Sequence, residues 1–499
     1  MRTAPRRLLS ALALSPLLVG CFASGEADSG TNAGAGAGER LRVALAVPPV
    51  QALSPYSNDA TVLSKLSVAE GLTALDKNGA AAPALAKSWR QVDATTWTFE
   101  LRKATFQDGT EVTAESVVNA LDHADSAEVK PRVLSDVTLT AKADDADTVT
   151  LTTKAADPVL PLRLASPALG ILSAKAYAKD GTVSPVGTGT GPFEITKLTG
   201  KTKAGLDRYD GYWGVKAKAP GIDVKFVPDG TARAAALRSG EADIVEAVPV
   251  SQAAVLDQDL ITEVPMPRTN TLYLNTEKGA FKDAAVRAAA REAIDAEAIV
   301  KGVYEGRADV AEGLLGPALP WAAELRSPVE RAKAGAANGK AITIGTYTDR
   351  SEMPEVAATL QQQLQKAGFK VKLDVREYTN IEADALAGKF DAFILSRATV
   401  LDSGDPAAYL YSDFASNGTF NLSQFADDDV DKALKKASDT KVGDARRKAI
   451  IAAEAAVLAT DAAVPMLHER VIQGDAAGVV DAAHDPRERE LVTVDTYVK

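Results

Sequence analysis

The sequence predicts an α/β protein of at least two lobes, with an inserted α+β subdomain. Three observations carry this. About 460 residues follow a small, Gly-rich N-terminal stretch, more than one hydrophobic core usually holds. Residues 341–396 alternate short apolar strands with amphipathic helices, the pattern of a mainly parallel sheet. Residues 96–102 and 147–153 instead alternate apolar and polar residues one by one, as strands with one buried face do.

Taken in order, the chain opens with Arg2, Arg6 and Arg7 and an apolar run from Leu8 to Gly20. This is a basic region and hydrophobic core of signal-peptide length, too short to span a bilayer comfortably. Leu18-Val19-Gly20-Cys21 resembles a bacterial lipobox, and Cys21 is the only cysteine in 499 residues. The expectation is cleavage before Cys21 and lipidation of its sulfur. Residues 22–40 then read as a flexible tether. With no second thiol there is no internal disulfide, so the fold rests on its cores. The formal charge of −11 argues against nucleic acid and against electrostatic binding to anionic lipid.

Leu41 to Val47 is a short apolar strand, and Ala60 to Leu72 has helical spacing. Phe106 to Thr110 is a turn leading to Thr113, the N-cap of a helix to about Ala124; Glu115 is one residue too early to complete a capping box. Gly187 to Phe193, GTGTGPF, is a Gly-rich hairpin or crossing; Pro192-Phe193 stand where a phosphate loop needs Lys-Ser or Lys-Thr. Strands follow at Ile222–Val227, Ala242–Val245 and Thr271–Asn275, with helices at Thr231–Ser239 and Asp283–Val303. In the last part, strand Ala341–Tyr347 leads to helix Glu352–Ala367, ended by Gly368. Strand Phe369–Val375, a short helix Ile381–Ala387 and strand Phe390–Ser396 complete the run.

Catalytic and metal patterns are missing from the sequence. His123, His468 and His484 have no metal-ligand spacing, His468-Glu469-Arg470 is not part of HExxH, and there is no GxSxG elbow. The acidic run Asp427-Asp428-Asp429 reads as helix N-terminal charge. The expectation is a non-enzyme with no cofactor and no protein-built metal site. The informative loop is Arg397 to Pro406, RATVLDSGDP, at the carboxyl end of a strand, where open α/β sheets bind ligands. Asp405-Pro406 reads as an N-cap with proline at N1. Asp402 is a candidate carboxylate for a ligand ammonium or an Asx-turn residue. Arg397 is a candidate for a ligand carboxylate or a solvated charge. Tyr56, Tyr273 and Asn275 are candidates for lining a cleft or for packing.

Several ordered motifs resemble the peptide- and nickel-binding family of bacterial extracellular solute-binding proteins, family 5. They are Pro83 to Leu121, Gly189 to Phe193 (GTGPF), Arg208 to Gly214 (RYDGYWG), Pro228 to Val245, Asn275 through Ile294, and NLSQFADDDVDKAL near Asn421. The resemblance implies a two-lobed, periplasmic-binding-protein type II-like α/β fold with an extra α+β subdomain and a hinge. Expected boundaries are a signal peptide 1–21, a tether 22–40, lobe I from 41–70, 183–275 and 471–499, the extra subdomain 71–182, and lobe II 276–470. It also implies a monomeric lipoprotein on the outer face of the cell membrane. Such a protein closes on a small molecule or peptide and docks on the permease and ATPase subunits of an ABC importer. In peptide-binding relatives an aspartate of a D-x-G-D-P loop pairs with the ligand ammonium, and Asp402 takes that place in Asp402-Ser403-Gly404-Asp405-Pro406. A nickel or metallophore chelate is the alternative cargo, and an envelope sensor on the same scaffold is a further one.

Overall fold

The computed structural model describes residues 38–400 and 403–499. Cys21 and Asp402 therefore lie outside the described residues. Among those residues no helix is long and apolar enough to cross a membrane.

One 11-stranded mixed sheet runs through the molecule, and its strand order explains the architecture. At one end, Ala341–Tyr347 pairs in parallel with both Lys370–Arg376 and Ala392–Ala398, as the β/α alternation predicts. At the other, Leu41–Leu45 lies in parallel between Gly221–Phe226 and Ile244–Val245, and the hairpin Phe193–Thr199/Lys203–Arg208 extends the edge. Two long antiparallel strands join the ends, Ile261–Leu274 and Ala463–Asp475. They pair along most of their length, with register shifts between Pro265 and Thr269 and again at Asn270/Thr271. Pro265 and Pro267 have no N–H to give the ladder, and a bulge lets a strand pair bend. These two strands connect the two ends of the sheet, the place the expected two-lobed fold gives its hinge.

The sequence pattern predicts only Thr271–Asn275 of the first of these strands, which runs from Ile261 to Leu274. The missed half contains the two prolines and alternates charge with apolar residues, so no simple period reveals it. The expected helix Asp283–Val303 is two helices, Ala284–Ala293 and Ala296–Val303, because Asp295 turns extended and caps the second through Ala298 N–H. Helix Ala60–Lys65 is also shorter than expected. The capping box at Thr113 is complete after all. Ser116, rather than an acidic residue, closes it, and its hydroxyl accepts from Thr113 N–H at 2.9 Å.

Separate cores fill the lobes. One gathers Leu272, Ile344, Phe393, Leu360, Phe414 and Val457 on the far side of the hinge. On the near side Val43, Leu63, Phe193 and Val224 form another, with Ala234, Leu237 and Val245 below. The extra subdomain packs helix Ala114–Ser126 on a four-stranded antiparallel sheet, burying Trp97, Phe99, Leu101, Val117 and Leu121. The Gly-rich crossing ties subdomain to lobe. A Cβ on Gly191 would sit 2.1 Å from the Ser67 carbonyl oxygen, and one on Gly189 2.2 Å from that of Val68. The side-chain amide of Gln107 completes the seam, donating to the carbonyls of Val68, Gly191 and Phe193.

Candidate functional site: the interlobe cleft

The hinge strands carry a polar cluster where the lobes face each other. On the hinge side, Asn270 Nδ2 donates to Tyr304 OH and to Glu469 Oε1, both at 2.9 Å. Glu469 Oε2 accepts from Arg350, which follows strand Ala341–Tyr347, at 2.8 Å. Ser396 lies directly across the ladder from Asn270. Arg268 stands two residues before Asn270 on the same strand face.

From the opposite lobe come three charges. Lys65 ends helix Ala60–Lys65 and pairs with Glu246, whose carboxylate also accepts from Ala46 N–H at 2.9 Å. Glu488 lies on the C-terminal segment, which is fastened to this helix through Leu491 and Val492 N–H to the Lys65 carbonyl and Ser64 Oγ to the Arg489 carbonyl. Glu488 has a φ of 58°, a left-handed conformation that costs a non-glycine residue energy and is frequent at functional sites. Its Oε2 stands 3.7 Å from Arg268 Nε, bridging the C-terminal segment and the hinge strand.

Burial and charge tune these groups together. Burial, and then the nearby Arg350, lower the Arg268 pKa; its normal value is so high that it stays cationic. The Glu469 carboxylate raises that of Arg350 against the effect of burial. For Lys65 burial pulls down, but the Glu246 charge prevails and raises it. Burial would lift Glu246, and Lys65 outweighs it and holds it low. Both members of that pair are therefore ionised. Burial drives the phenols of Tyr304 and Tyr347 upward, so both are neutral.

Several buried polar atoms in this cluster have no hydrogen-bond partner among the described residues: Arg268 Nε, Asn270 Oδ1 and Ser396 Oγ. Buried polar atoms are nearly always satisfied, and an unsatisfied one costs about 1–3 kcal/mol. These three atoms lie on adjoining strands, Asn270 and Ser396 directly across the ladder from each other.

The sequence-predicted candidates are distributed differently. Arg397 is committed within its own lobe: Nε and one terminal nitrogen grip the two oxygens of buried Asp413 at 2.8 and 2.7 Å, and the guanidinium lies 4.2 Å from the Phe420 ring. A proximate buried carboxylate thus holds the fork that was expected to meet a ligand or solvent. Tyr273 is 1% exposed, stacks on Phe414 and reaches Asp413 with its hydroxyl at 3.4 Å. Asn275 is also 1% exposed. Its Nδ2 donates to the Gly388 and Phe390 carbonyls, and its Oδ1 accepts from Glu277 and Lys278 N–H. Tyr56 packs against the extra subdomain's core and donates to the Ala120 carbonyl at 3.4 Å. The structure brings Arg397 and Tyr273 together, both on the Asp413 carboxylate, and leaves Asn275 and Tyr56 with separate partners.

Residues that follow Asp402 are anchored in the lobe. Gly404 takes a φ of 73°, and its N–H donates to the Val400 carbonyl at 2.7 Å. Asp405 caps helix Pro406–Phe414 through Ala407 N–H at 2.9 Å, with proline at N1. The same carboxylate is held by buried Arg446 at 2.6 and 3.0 Å. Gly404 packs on the hairpin Thr73–Leu75/Ala81–Pro83, since a Cβ there would meet Leu75 Cδ1 at 2.4 Å.

Sequence reasoning missed Lys65, Glu246, Arg268, Asn270, Arg350, Glu469 and Glu488. The only local signal was Arg268 itself, a cation in the strand after Pro265 and Pro267.

A two-lobed α/β protein, hinged on two strands and with unsatisfied polar groups at the hinge, has the form of a hinged solute-binding protein. Residues 80–421 match the family described as bacterial extracellular solute-binding proteins, family 5. The chain belongs to that family, whose members serve ABC importers and lie outside the cytoplasm. It is 28% identical to the nickel-binding protein NikA of Staphylococcus aureus, over 81% of this chain and 83% of that protein. It is 31% identical to the glutathione-binding protein GsiB of Escherichia coli, over 64% of this chain and 66% of that one. Its fold superimposes on a nickel ABC transporter structure from Bacillus halodurans with a TM-score of 0.79 and 26% identity, covering 92% of this chain and 100% of the other. These relatives are solute-binding proteins rather than enzymes.

Proposed function

We propose that the protein is a non-enzymatic capture component of an ABC importer. It holds a di- or oligopeptide in the interlobe cleft and presents it to the permease and its ATPase subunits. The observation that carries this reading is the hinge itself. Two strands join the lobes, and partnerless polar atoms are gathered where they do so. A solute that contacts both lobes binds the closed form better than the open one, and only that difference shifts the population. The peptide choice is supported by the loop Asp402-Ser403-Gly404-Asp405-Pro406, whose Asp405 half is locked by the helix cap and Arg446. That anchoring leaves Asp402 as the loop's remaining carboxylate for a ligand ammonium. The lipobox-like Cys21 supports tethering of a monomer to the outer face of the membrane.

A nickel chelate is the second reading, favoured by the similarity to NikA over most of both chains. Among the described residues no group of three His, Cys, Asp or Glu side chains could hold a metal ion. A metal cargo would therefore bring its own ligands in a chelator. Native mass spectrometry of the protein lacking residues 1–21 separates the readings. Peptide masses released on mild denaturation support the first, and a nickel isotope pattern with a small chelator replaces it with the second.

A further inference from the structure

We propose that Arg268 receives a carboxylate of the captured solute, and that Glu488 is the internal counter-ion which this carboxylate displaces. The inference rests on the cleft reading above and names a specificity-determining pair within it.

The neighbouring arginines set the standard. Arg350 is bonded to Glu469, Arg397 is bonded at two points to Asp413, and Arg446 holds Asp405 and three backbone carbonyls. A guanidinium has five N–H donors in a fixed fork. Among the described residues the Arg268 side chain makes no hydrogen bond, and its Nε is buried without a partner. Among the described residues its one ion-pair contact is Glu488 at 3.7 Å, too long for a hydrogen bond.

Glu488 mirrors this. Its carboxylate accepts no hydrogen bond among the described residues, yet its backbone is held left-handed beside Asp485. The Asp485 carbonyl takes Glu488 N–H, and the Asp485 carboxylate takes those of Arg487 and Arg489. Two opposite charges thus face each other across the seam, each fixed by its backbone and neither saturated. Glu488 is near enough to offset the Arg268 charge in the absence of solute. It is too far away to compete with a carboxylate that forms two parallel N–H···O bonds. Lys65 and Arg350 nearby are each neutralised by their own carboxylate, Glu246 and Glu469, so Arg268 is the cation of the cluster that lacks a hydrogen-bonded anion among the described residues.

The test uses the chain without residues 1–21, unfolded, washed free of bound material and refolded, with ligand-free melting recorded for each variant. Two probe pairs are titrated: mixed di- to tetrapeptides as free acids or C-terminal amides, and nickel(II) with L-histidine or L-histidinamide. The inference predicts that wild type prefers the acid of one pair, which also identifies the source of the carboxylate. Arg268→Ala should lose about 30-fold or more of the acid's affinity and little of the amide's. Glu488→Gln should bind the acid several-fold more tightly, which a merely structural ion pair would not produce. If Arg268→Ala fails to refold, Arg268→Lys, which keeps the charge but not the fork, should still lose affinity for the acid selectively. Equal affinity of wild type and the Arg268 variant for the acid overturns the inference and leaves solute capture standing. Wild type that binds no member of either pair overturns the ligand reading on which the inference rests.

Discussion

Arg397 and Asp413 form a two-point ion pair inside one lobe, Nε to Oδ2 at 2.8 Å and a terminal nitrogen to Oδ1 at 2.7 Å, with the Asp413 side chain wholly buried. Removing one partner leaves the other charge buried without compensation. Asp413→Ala should therefore destabilise the protein by about 3–5 kcal/mol. Replacing both partners with packed apolar residues should be far milder. Urea denaturation checks this, and a loss below about 1 kcal/mol for the single variant would show that Arg397 finds another anion.

The crossing at Gly191 is equally specific. A methyl group there meets the Ser67 carbonyl at 2.1 Å, and neither partner is the end of a flexible side chain. Gly191→Ala should be destabilising by about 3 kcal/mol or more, beyond ordinary overpacking. Gly200→Ala is a comparison in which the added Cβ meets nothing within 4 Å, though φ is +53°. It should cost only the backbone strain, about 1 kcal/mol.

His468 makes stability depend on pH. It is 3% exposed on a hinge strand, and burial depresses its pKa to about 4. Thr269 Oγ1 donates to the Leu314 carbonyl, so it accepts from His468 Nδ1–H at 2.9 Å, which places the single proton of the neutral ring on Nδ1. The unfolded chain takes up this proton near pH 6.5, while the folded one waits until about pH 4. Between those values the unfolded state binds more protons, so stability rises with pH, by about 3 kcal/mol across the window. Denaturation curves from pH 4 to 7 should show this slope, and His468→Gln should flatten it. An unchanged slope would assign the dependence to other groups.

Asp402 carries the peptide reading. If it holds a buried ammonium, Asp402→Ala should lose about 3 kcal/mol of binding energy, roughly 100-fold in affinity, for the peptide that co-purifies. The melting temperature of the empty protein should hardly move. Unchanged affinity by titration calorimetry would remove Asp402 from the site.

The parts of the fold readable from sequence are those in which local pattern and tertiary role agree. Ala341–Tyr347 and helix Glu352–Lys366 follow their periods, and Gly368 ends the helix with a φ of 95°. Asp405 and Asp427 behave as the caps their neighbours advertise. The hinge was hidden because its strand is interrupted by Pro265 and Pro267 and changes partners between lobes. The cleft was hidden for a different reason. Lys65, Arg268, Arg350 and Glu488 come from four distant segments, and each alone looks like an ordinary surface charge. Arg397 shows the converse error: a cation in a promising loop is neutralised by Asp413 sixteen residues on, one helix later.

The proposed capture requires the lobes to close on solute by bending at Ile261–Leu274 and Ala463–Asp475. Because Cys21 is the only cysteine, the chain from residue 22 has none, and two spin labels can be placed cleanly. Lys203→Cys and Lys372→Cys put them on exposed positions at the two ends of the sheet. Pulsed electron–electron resonance should give a broad, longer distance distribution for the washed protein and a narrow, shorter one when the released solute is restored. Identical distributions in both states would contradict hinge closure as the basis of capture.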